Sequence, residues 1–266
     1  RERSRAPEAI IAEARSLVES GYKEITLLGQ NVNSYGKYPD CGCNFAQLLQ
    51  QLNDIEGDFI IRFMTSHPKD CTHELLDTMA RCDKVAKHLH LPFQSGSNRV
   101  LAEMNRRYTR EKYLSLLEYA YSVMPELSVT SDVIVGFPGE TYEEFRETVS
   151  LVQQANFTSM YTFIFSPREG TKAASMPDPV SREEKGRWFK ELLDAQEVIA
   201  AKRTASAVGK VYRVVCESVS KSGLIEGRTE GNVIVEFPAD SSVIGTFRNV
   251  KVTESLTWIL RGELAD

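Results

Sequence analysis

The first two thirds of the chain alternate amphipathic helical segments with short apolar segments typical of buried strands. In the segment APEAIIAEARSLVES, the residues Ile10, Ala14 and Leu17 recur at helical spacing, and the strand segment KEITLL follows. The same alternation continues to the strand segment NFTSMYTFIF, which ends at Phe165. Strands that alternate with helices form a parallel sheet covered by helices. The sequence therefore predicts an α/β fold for this part of the chain.

The series of elements starts with a helix, and the polar residues RERSR precede it. In a parallel sheet of this kind, a strand is expected before the first helix. Five strands are visible, and a sixth would complete a partial (β/α)6 barrel of the TIM type. We therefore expect the chain to be part of a longer protein and to lack the first strand of that barrel.

A different pattern fills the end of the chain. Ser181 and Glu184 have the spacing of a helix cap, and the long helix that they begin is predicted to run to about Ala205. Five short strand segments follow, separated by Gly, Ser, Asn and Asp. Short strands with such separators favour a small all-β barrel of the OB-like kind. We predict two domains, residues 1–205 and residues 206–266.

Composition limits the kind of protein that this chain can be. Hydrophobic residues make up 42% and charged residues 26% of its 266 residues, as in ordinary globular proteins. No apolar segment approaches the roughly 20 residues that cross a bilayer, so no membrane partner is expected. Five irregularly spaced cysteines suit a reduced, cytoplasmic protein. The net charge of -5 does not favour nucleic-acid binding, so any RNA contact must come from a local basic patch.

Polar residues follow the apolar core of several predicted strands. In parallel α/β folds the carboxyl ends of the strands meet at one edge, where ligands bind. Thr130 and Asp132 alternate with apolar neighbours and so share one face of their strand. A carboxylate on a buried strand needs a partner, and the shared edge favours a ligand over a purely structural pairing. The polar residues beyond the other four strands are Gln30, Asn31, Ser66, His67, Gln94, Ser95, Ser166 and Arg168.

Two other motifs have competing interpretations. The glycine-rich segment GFPGE, residues 136–140, lacks the spacing of a phosphate-binding loop and is interpreted as a tight turn between strand and helix. His88 and His90 are two residues apart on a strand and face the same side. With His67 they could hold zinc, as in a barrel metallohydrolase.

Five blocks of the sequence resemble successive signatures of the MiaB-type methylthiotransferases, which are radical SAM enzymes with a terminal TRAM domain. The blocks are LLGQNVNSYG, RFMTSHPKD, HLHLPFQSGSNRVLAEMNRRYT, SDVIVGFPGET and FIFSPREGTKAA. The region from GRTEGNVIVEF onward is similar to the TRAM domain of that family. The starting residues RERSR resemble the segment that follows the cluster-binding motif C-x-x-x-C-x-x-C. That motif and a further N-terminal domain are therefore expected upstream of residue 1.

The resemblance implies an enzyme that modifies tRNA. In that family, one S-adenosyl-L-methionine (SAM) donates a methyl group to cluster-bound sulfur. A second SAM yields a radical that removes hydrogen from C2 of N6-isopentenyladenosine beside the anticodon, and a methylthio group replaces that hydrogen. The implied cofactors are SAM and, in the full-length protein, [4Fe–4S] clusters. This chain would hold no cluster ligands and no catalytic residues, would be inactive alone, and would bind the anticodon stem-loop of tRNA.

The resemblance also implies which residues face SAM. Asp132 or Gln94 would accept hydrogen bonds from the ribose hydroxyls or from the methionine amino group. Val135 and Gly136 would lie beside the adenine. Arg168 would face a phosphate, the methionine carboxylate or a carboxylate that pins the linker. The full set implied to contact SAM is Gln30, Asn31, Ser66, Gln94, Ser95, Asp132, Val135, Gly136, Phe165 and Ser166.

The RNA-binding role of the terminal domain is not visible in its net charge. From residue 207 the domain holds seven Lys and Arg residues against eight Asp and Glu residues. Affinity for nucleic acid depends on basic side chains set against phosphates, so the basic residues would have to lie on one face. Six of the seven are expected to form that face: Arg213, Lys221, Arg228, Arg248, Lys251 and Arg261.

Three other functions compete with this interpretation. The ribosomal-protein methylthiotransferases share the barrel and the TRAM domain, but GQN at residues 29–31 and LPFQSGS at residues 91–97 favour the tRNA enzyme. A non-catalytic RNA-binding module is the second alternative, and retained SAM binding would argue against it. A barrel metallohydrolase is the third, and it requires His67, His88 and His90 to lie close together. The sequence does not define the oligomeric state, and a monomer is the expectation.

We expect a C-x-x-x-C-x-x-C motif within about 20 residues before Arg1 in the coding sequence, because cluster ligands must lie beside the first barrel strand. Sequencing the gene upstream of this point tests the expectation. A coding sequence without that motif would contradict the catalytic interpretation.

Overall fold

The computed structural model describes residues 3–37 and 41–265. Arg1 and Glu2 of the segment RERSR lie outside the described residues. The first part of the chain alternates helices and strands as the sequence predicts. The bounds are α1 Pro7–Glu19, β1 Glu24–Leu27, α2 Phe45–Asn53, β2 Ile60–Phe63, α3 His73–Arg81, β3 His88–His90, α4 Asn98–Glu103, α5 Arg110–Val123, β4 Ser128–Val135, α6 Tyr142–Ala155, β5 Ser159–Ile164 and α7 Arg182–Ala205.

Side-chain caps fix where the later helices begin. Thr141 and Glu144 form the capping box predicted for α6, with each side chain accepting from the other residue's backbone N–H. The Ser181 hydroxyl accepts from the backbone N–H of Glu184 at 3.1 Å and starts α7 where the sequence predicts. These caps satisfy N–H groups that have no partner inside the helix, so the chain turns sharply from loop into helix.

The strands of the first part are parallel. β1 pairs with β2, and β4 pairs with both β3 and β5. A single bridge between Ile61 and Val85 links the two groups, so the strands lie side by side in chain order. Helices cover one face around a buried core that includes Leu49, Phe63, Leu76, Leu117, Val133 and Val152. The parallel α/β arrangement is confirmed, and the six-stranded barrel stays a prediction.

The rest of the chain is built from strands. Their bounds are β6 Val211–Val219, β7 Ile225–Thr229, β8 Ile234–Phe237, β9 Phe247–Leu256 and β10 Ile259–Leu264. They close into a barrel in the order β10-β8-β7-β6-β9, which we call the terminal barrel. Its interior is filled by Val214, Cys216, Val235, Phe237 and Val250. The predicted small five-stranded barrel is confirmed.

One buried arginine joins the terminal barrel to the parallel sheet. Arg62 of β2 is 4% exposed, and its guanidinium donates to the carbonyl oxygens of Thr229 at 2.8 Å and Glu230 at 2.7 Å. Its Nε atom donates to the carboxylate of Glu24 on β1, also at 2.7 Å. Because a buried charge without partners costs several kcal/mol, these acceptors determine where the terminal barrel can dock.

A small apolar contact extends this joint. Ile60 packs with Val215 and Phe247 of the terminal barrel. At Gly231 the two parts approach so closely that an added Cβ would lie 3.1 Å from the Cβ of Ser128. Ile60 and Ser128 are the first residues of β2 and β4, so the terminal barrel packs against the amino ends of these strands. The predicted ligand site lies at the opposite, carboxyl ends.

None of the helices in the described part of the chain is long and apolar enough to cross a membrane.

Replacing Arg62 with Met is expected to lower the free energy of unfolding by about 2–4 kcal/mol. The reason is that the change removes the donor to the Glu230 carbonyl oxygen and one of the two donors to the Thr229 carbonyl oxygen, and leaves the Glu24 carboxylate without its cation. Urea denaturation of the two proteins measures the difference.

The matched control is Arg187→Met, which removes an exposed ion pair with Glu184 inside α7. Exposed pairs of this kind contribute about 0.5 kcal/mol or less. Equal losses in the two variants would show that the Arg62 joint does not hold the fold together.

Candidate functional site

Three neighbouring strands are each followed by a residue with left-handed backbone geometry. Thr65 after β2 has a φ of 63°, Gln94 after β3 has 67°, and Gly136 after β4 has 73°. Glycine adopts this region freely, whereas other residues pay about 1 kcal/mol or more. Such strained residues cluster at ligand sites, where surrounding structure holds them in place. These three residues therefore lie at the same edge of the sheet where the polar residues of the sequence predict a ligand site.

The sequence segment KHLHLPF, residues 87–93, predicts a longer strand than the observed β3, and the early end of β3 positions Gln94. The strand stops at His90 rather than at Phe93, because Pro92 has no N–H to donate to the ladder. Pairing resumes at Gln94, whose backbone N–H donates to the carbonyl oxygen of Asp132 at 2.9 Å. β4 thus holds Gln94 in its left-handed conformation, with the residue buried.

The Ser131 side chain bridges the interruption in β3. Its hydroxyl donates to the carbonyl oxygen of Leu91 at 2.7 Å and accepts from the backbone N–H of Phe93 at 3.0 Å. Ser131 is fully buried, so it acts as an internal part of the ladder. The sequence analysis did not single it out. The available signal was a serine on the helix-facing side of a strand whose neighbours on that side, Val129 and Val133, are apolar.

Two buried side-chain atoms in the segments after β2 and α4 have no hydrogen-bond partner among the described residues. They are the Ser66 hydroxyl after β2 and the Nε atom of Arg106. His67 links the two positions, because it follows Ser66 and feels the charge of Arg106. Burial, and then Arg106, holds the pKa of His67 below its usual value. Unpartnered buried groups are expected where a ligand supplies the missing partner.

Arg106 is a candidate site residue that the sequence analysis did not single out. It follows α4 in an irregular segment, and no strand end or periodic pattern points to it. The segment folds back onto β3, because the hydroxyl of Tyr108 donates to the carbonyl oxygen of Phe93 at 3.1 Å. The guanidinium has no carboxylate partner among the described residues, so an anionic ligand group suits it.

Asp132 lies on the open face of β4, with its side chain 30% exposed. One of its oxygens is 3.5 Å from Nε2 of His90. The ring of His90 in turn lies 3.0 Å from the hydroxyl of Thr130. Thr130 and Asp132 therefore share one strand face, as the sequence predicts. The partial exposure leaves the Asp132 carboxylate open toward a ligand.

The GFPGE segment is held in a turn by hydrogen bonds between its own residues. The backbone N–H groups of Gly136 and Phe137 both donate to one oxygen of Glu140, at 2.6 and 3.1 Å. The other oxygen of Glu140 is buried without a partner, and burial raises the pKa of this carboxyl to about 7. A Cβ on Gly136 would lie 2.5 Å from the side chain of Lys185, so only glycine fits. The tight-turn interpretation of this segment agrees with the geometry.

The remaining predicted SAM contacts after β4 and β5 form one neighbourhood. The backbone N–H of Phe165 donates to the carbonyl oxygen of Val135 at 2.8 Å. The ring of Phe165 meets that of Phe137 edge to face, with 5.3 Å between ring centres. Ser166 and Arg168 follow and are exposed. Ser95 follows Gln94 in the segment after β3, where its hydroxyl accepts from the backbone N–H of Ser97 at 3.2 Å.

The loop that carries Gln30 and Asn31 lies beside Thr65, because the backbone N–H of Val32 donates to the carbonyl oxygen of Thr65 at 3.2 Å. Gln30 and Asn31 line a cleft of about 580 Å³ between α1 and β1, together with Arg5, Glu13 and Leu28. Neither Ser66 nor Gln94 nor Asp132 lines this cleft. The structure therefore brings the residues after β2, β3, β4 and β5 toward one edge, with Gln30 and Asn31 in a neighbouring cleft.

Two arginines predicted to contact RNA already have anionic partners. Arg213 forms an ion pair with Asp58, and its guanidinium lies 3.6 Å from the centre of the Phe247 ring. Arg228 lies 3.2 Å from the carboxylate of Glu217. Both charges are thus compensated within the protein.

The other basic side chains of the terminal barrel differ in exposure. Arg248 and Lys251 on β9 are exposed, as is Lys221 before β7. Arg261 lies 3.7 Å from both Glu236 and Glu254. Exposed and uncompensated cations therefore remain mainly on β9 and next to β7.

No group of three His, Cys, Asp or Glu side chains in residues 3–37 and 41–265 could hold a metal ion. His88 and His90 meet at the Thr130 hydroxyl, whereas Nδ1 of His67 accepts from the backbone N–H of Lys69. The zinc site of a metallohydrolase therefore finds no support. All five cysteines are free, and they do not provide the converging thiolates of a [4Fe–4S] cluster within the described residues.

Comparison with known families gives two matches. Residues 1–152 match the Radical SAM superfamily, and residues 205–265 match the TRAM domain. The chain is also similar to two curated proteins named tRNA-2-methylthio-N(6)-dimethylallyladenosine synthase. The protein from Thermoanaerobacter sp. (strain X514) is 51% identical over 268 residues, covering 100% of this chain and 57% of that protein. The protein from Alkaliphilus oremlandii (strain OhILAs) is 50% identical over 266 residues, covering 99% and 56%.

The chain thus spans little more than half the length of these relatives. Among solved structures, it is similar to coproporphyrinogen III oxidase from Escherichia coli, described as a radical SAM enzyme. The TM-score is 0.48 and the identity 17%, over 72% of this chain and 50% of that one. This structural likeness is too distant to support an argument.

The buried Glu140 carboxyl predicts a pH-dependent stability. Its pKa is raised in the folded protein to about 7, so its contribution is fully present below the ordinary value near 4.5 and is lost as the pH rises through 7. We expect the free energy of unfolding to fall by about 2–3 kcal/mol from this group between pH 5 and pH 8.

Urea denaturation at several pH values measures this slope. In the Glu140→Gln variant the slope should be shallower by that amount, since the amide keeps its shape and does not titrate. Identical slopes in the two proteins would mean that burial does not govern this carboxyl.

Proposed function

The chain belongs to the radical SAM superfamily, and we propose that it forms the SAM- and substrate-binding part of a tRNA methylthiotransferase. The substrate we propose is an adenosine that carries an N6-isopentenyl (dimethylallyl) group next to the anticodon, and a methylthio group is added at its C2 position. The names of the curated relatives support this choice of substrate. A cytoplasmic, monomeric protein acting on tRNA follows from the same proposal.

The observation that carries the proposal is that the Ser66 hydroxyl and the Nε atom of Arg106 are buried near the carboxyl ends of the strands and have no hydrogen-bond partner among the described residues. SAM carries an α-carboxylate and an α-amino group, and a binding site must satisfy both. The guanidinium of Arg106, which lacks a carboxylate partner among the described residues, suits the carboxylate of SAM. The Ser66 hydroxyl suits a second polar atom of the same ligand. This chain therefore has groups of the right chemistry to hold the methionine end of SAM.

Asp132 and Gln94 suit the ammonium and hydroxyl groups of SAM. Asp132 is a half-exposed carboxylate on the open strand face, and carboxylate acceptors bind amino groups and ribose hydroxyls strongly. Gln94 is held at the same edge by its backbone bond to β4. We propose that these two side chains orient SAM along the carboxyl end of the sheet, beside Ser95.

The adenine of SAM would lie against the turn after β4. Val135 and Phe165 offer apolar surface there, and Gly136 lets a flat ring approach the backbone closely. The Glu140 carboxylate holds the turn by accepting from two of its N–H groups. We propose that Ser166 borders this pocket and that Gln30 and Asn31 border the neighbouring cleft.

The chemistry of the reaction comes from the cofactors of the family. SAM, when bound together with a reduced [4Fe–4S] cluster, supplies both the methyl group and the radical that opens the C–H bond. The described residues do not fit a cluster, so we assign this chain the binding and orientation of SAM and the substrate alone.

For the RNA we propose contacts from Arg168, Arg248 and Lys251, which are exposed and have no anionic partner among the described residues. Arg213 and Arg228 would contribute less, because Asp58 and Glu217 already compensate their charges. The TRAM match supports RNA binding by the terminal barrel.

We further propose that the domain boundary lies between residues 205 and 206, where α7 ends, and that the preceding domain is a partial (β/α)6 barrel.

The function is tested by expressing the complete gene in a bacterial strain that lacks tRNA methylthiotransferase. Mass spectrometry of the tRNA nucleosides should then detect the methylthio form of the prenylated adenosine. Methylthiolation of a ribosomal protein without any change in tRNA would contradict the proposal.

Replacing Arg106 with Gln is expected to weaken SAM binding by about 10- to 100-fold, because a hydrogen-bonded charge pair is lost. Equilibrium dialysis of SAM against the protein from the complete gene measures the dissociation constant. The matched control is Arg107→Gln, one residue along the chain and exposed, which should bind SAM as the unchanged protein does. Equal SAM affinities of the two variants would show that Arg106 does not contact SAM.

A further inference from the structure

The hydroxyl of Thr130 lies between two histidine rings. It is 3.0 Å from Nε2 of His88 and 3.0 Å from Nδ1 of His90. All three residues are buried. Nδ1 of His88 has no partner among the described residues, and Nε2 of His90 lies 3.5 Å from an oxygen of Asp132. The four side chains thus form one row that ends at the proposed SAM site.

A threonine hydroxyl carries a single proton, so it can donate to one ring while it accepts from the other. In the first arrangement Thr130 donates to Nδ1 of His90 and accepts from the Nε2–H of His88. The proton of His90 then sits on Nε2, facing Asp132, and Nδ1 of His88 is a bare acceptor. In the second arrangement Thr130 donates to His88, whose proton then sits on the buried Nδ1 with no acceptor.

The first arrangement costs less. A buried N–H without an acceptor is rarer and less tolerated than an unused acceptor lone pair. A neutral His90 in the second arrangement would also point its lone pair at the Asp132 carboxylate. Burial, and then the charge of Arg62, lowers the pKa of His88 to about 3, which agrees with a neutral ring.

We propose that His88, Thr130 and His90 form a positioning relay that directs the Nε2–H of His90 toward Asp132 and so fixes the orientation of that carboxylate. This inference rests on the proposed function, in which Asp132 binds SAM. One oxygen of Asp132 faces Nε2 of His90 at 3.5 Å, and the other is left to accept from SAM. The three residues touch no reacting atom and act through Asp132.

The relay predicts which ring nitrogen of His88 and of His90 carries the proton. Long-range ¹H–¹⁵N spectra of the protein labelled at histidine distinguish the two ring tautomers. Both His88 and His90 should carry the proton on Nε2, and single His→Gln variants assign their signals. A proton on Nδ1 of either ring would overturn the relay. This measurement does not depend on SAM, so it decides the relay even if the proposed function fails.

The functional test replaces Thr130 with Val, which has the same shape and no hydroxyl. SAM binding, measured with the protein from the complete gene, should weaken about tenfold, since one hydrogen bond to a charged group is disturbed. The KM for SAM should rise more than kcat falls. Thr130→Ser keeps the hydroxyl and should restore the affinity to within about twofold.

The matched control is Thr162→Val on β5. Thr162 also has a buried hydroxyl, without a partner among the described residues, and it is opposite Val133 rather than the relay. This variant should bind SAM as the unchanged protein does. Equal SAM affinities of the Thr130→Val and Thr162→Val proteins would overturn the inference. Failure of the unchanged protein to bind SAM would contradict the proposed function instead.

Discussion

Parallel pairing of β1 to β5 is the constraint on which the rest of the structure depends. All five strands run in one direction, so their carboxyl ends meet at one edge and their amino ends at the other. The carboxyl edge gathers three residues with left-handed backbone geometry, Thr65, Gln94 and Gly136. The terminal barrel packs at Ile60 and Ser128, the first residues of β2 and β4, and is bound by the side chain of Arg62, the third residue of β2. Docking and ligand binding thus use opposite ends of the sheet.

This arrangement leaves several buried polar atoms without hydrogen-bond partners, which lowers the stability of the fold. Each such group costs about 1–3 kcal/mol, so a fold keeps few of them without a use. Ser66, Arg106 and Glu140 carry such atoms near the carboxyl edge, and His88 carries one deeper along β3. The large apolar core under the helices offsets these costs. Three of these atoms therefore mark the carboxyl edge as a candidate site, beside the cleft that Gln30 and Asn31 line.

Much of the fold could be predicted from local patterns. Helix caps such as Thr141 with Glu144, and the alternation of strands with helices, are short-range signals that the structure confirms. Asp132 could be predicted as a site residue because a carboxylate on an apolar strand is unusual. Arg106 could not, since it lies in an irregular segment whose path depends on Tyr108 contacting β3. The state of Arg213 was equally hidden, because its partner Asp58 is 155 residues away in the chain.

The Arg62 guanidinium contacts backbone carbonyl oxygens in the terminal barrel and the side chain of Glu24 in the parallel sheet. Carbonyl oxygens are present at positions 229 and 230 whatever amino acids occupy them, so the guanidinium recognises the shape of that turn and not its sequence. Substitutions at position 230 should therefore leave the joint intact as long as the turn keeps its length, whereas Thr229 is buried and its hydroxyl accepts from the backbone N–H of Val233. Insertion or deletion of one residue there would move both acceptors at once. The joint is thus tolerant of a side-chain change at position 230 and intolerant of changes in loop length.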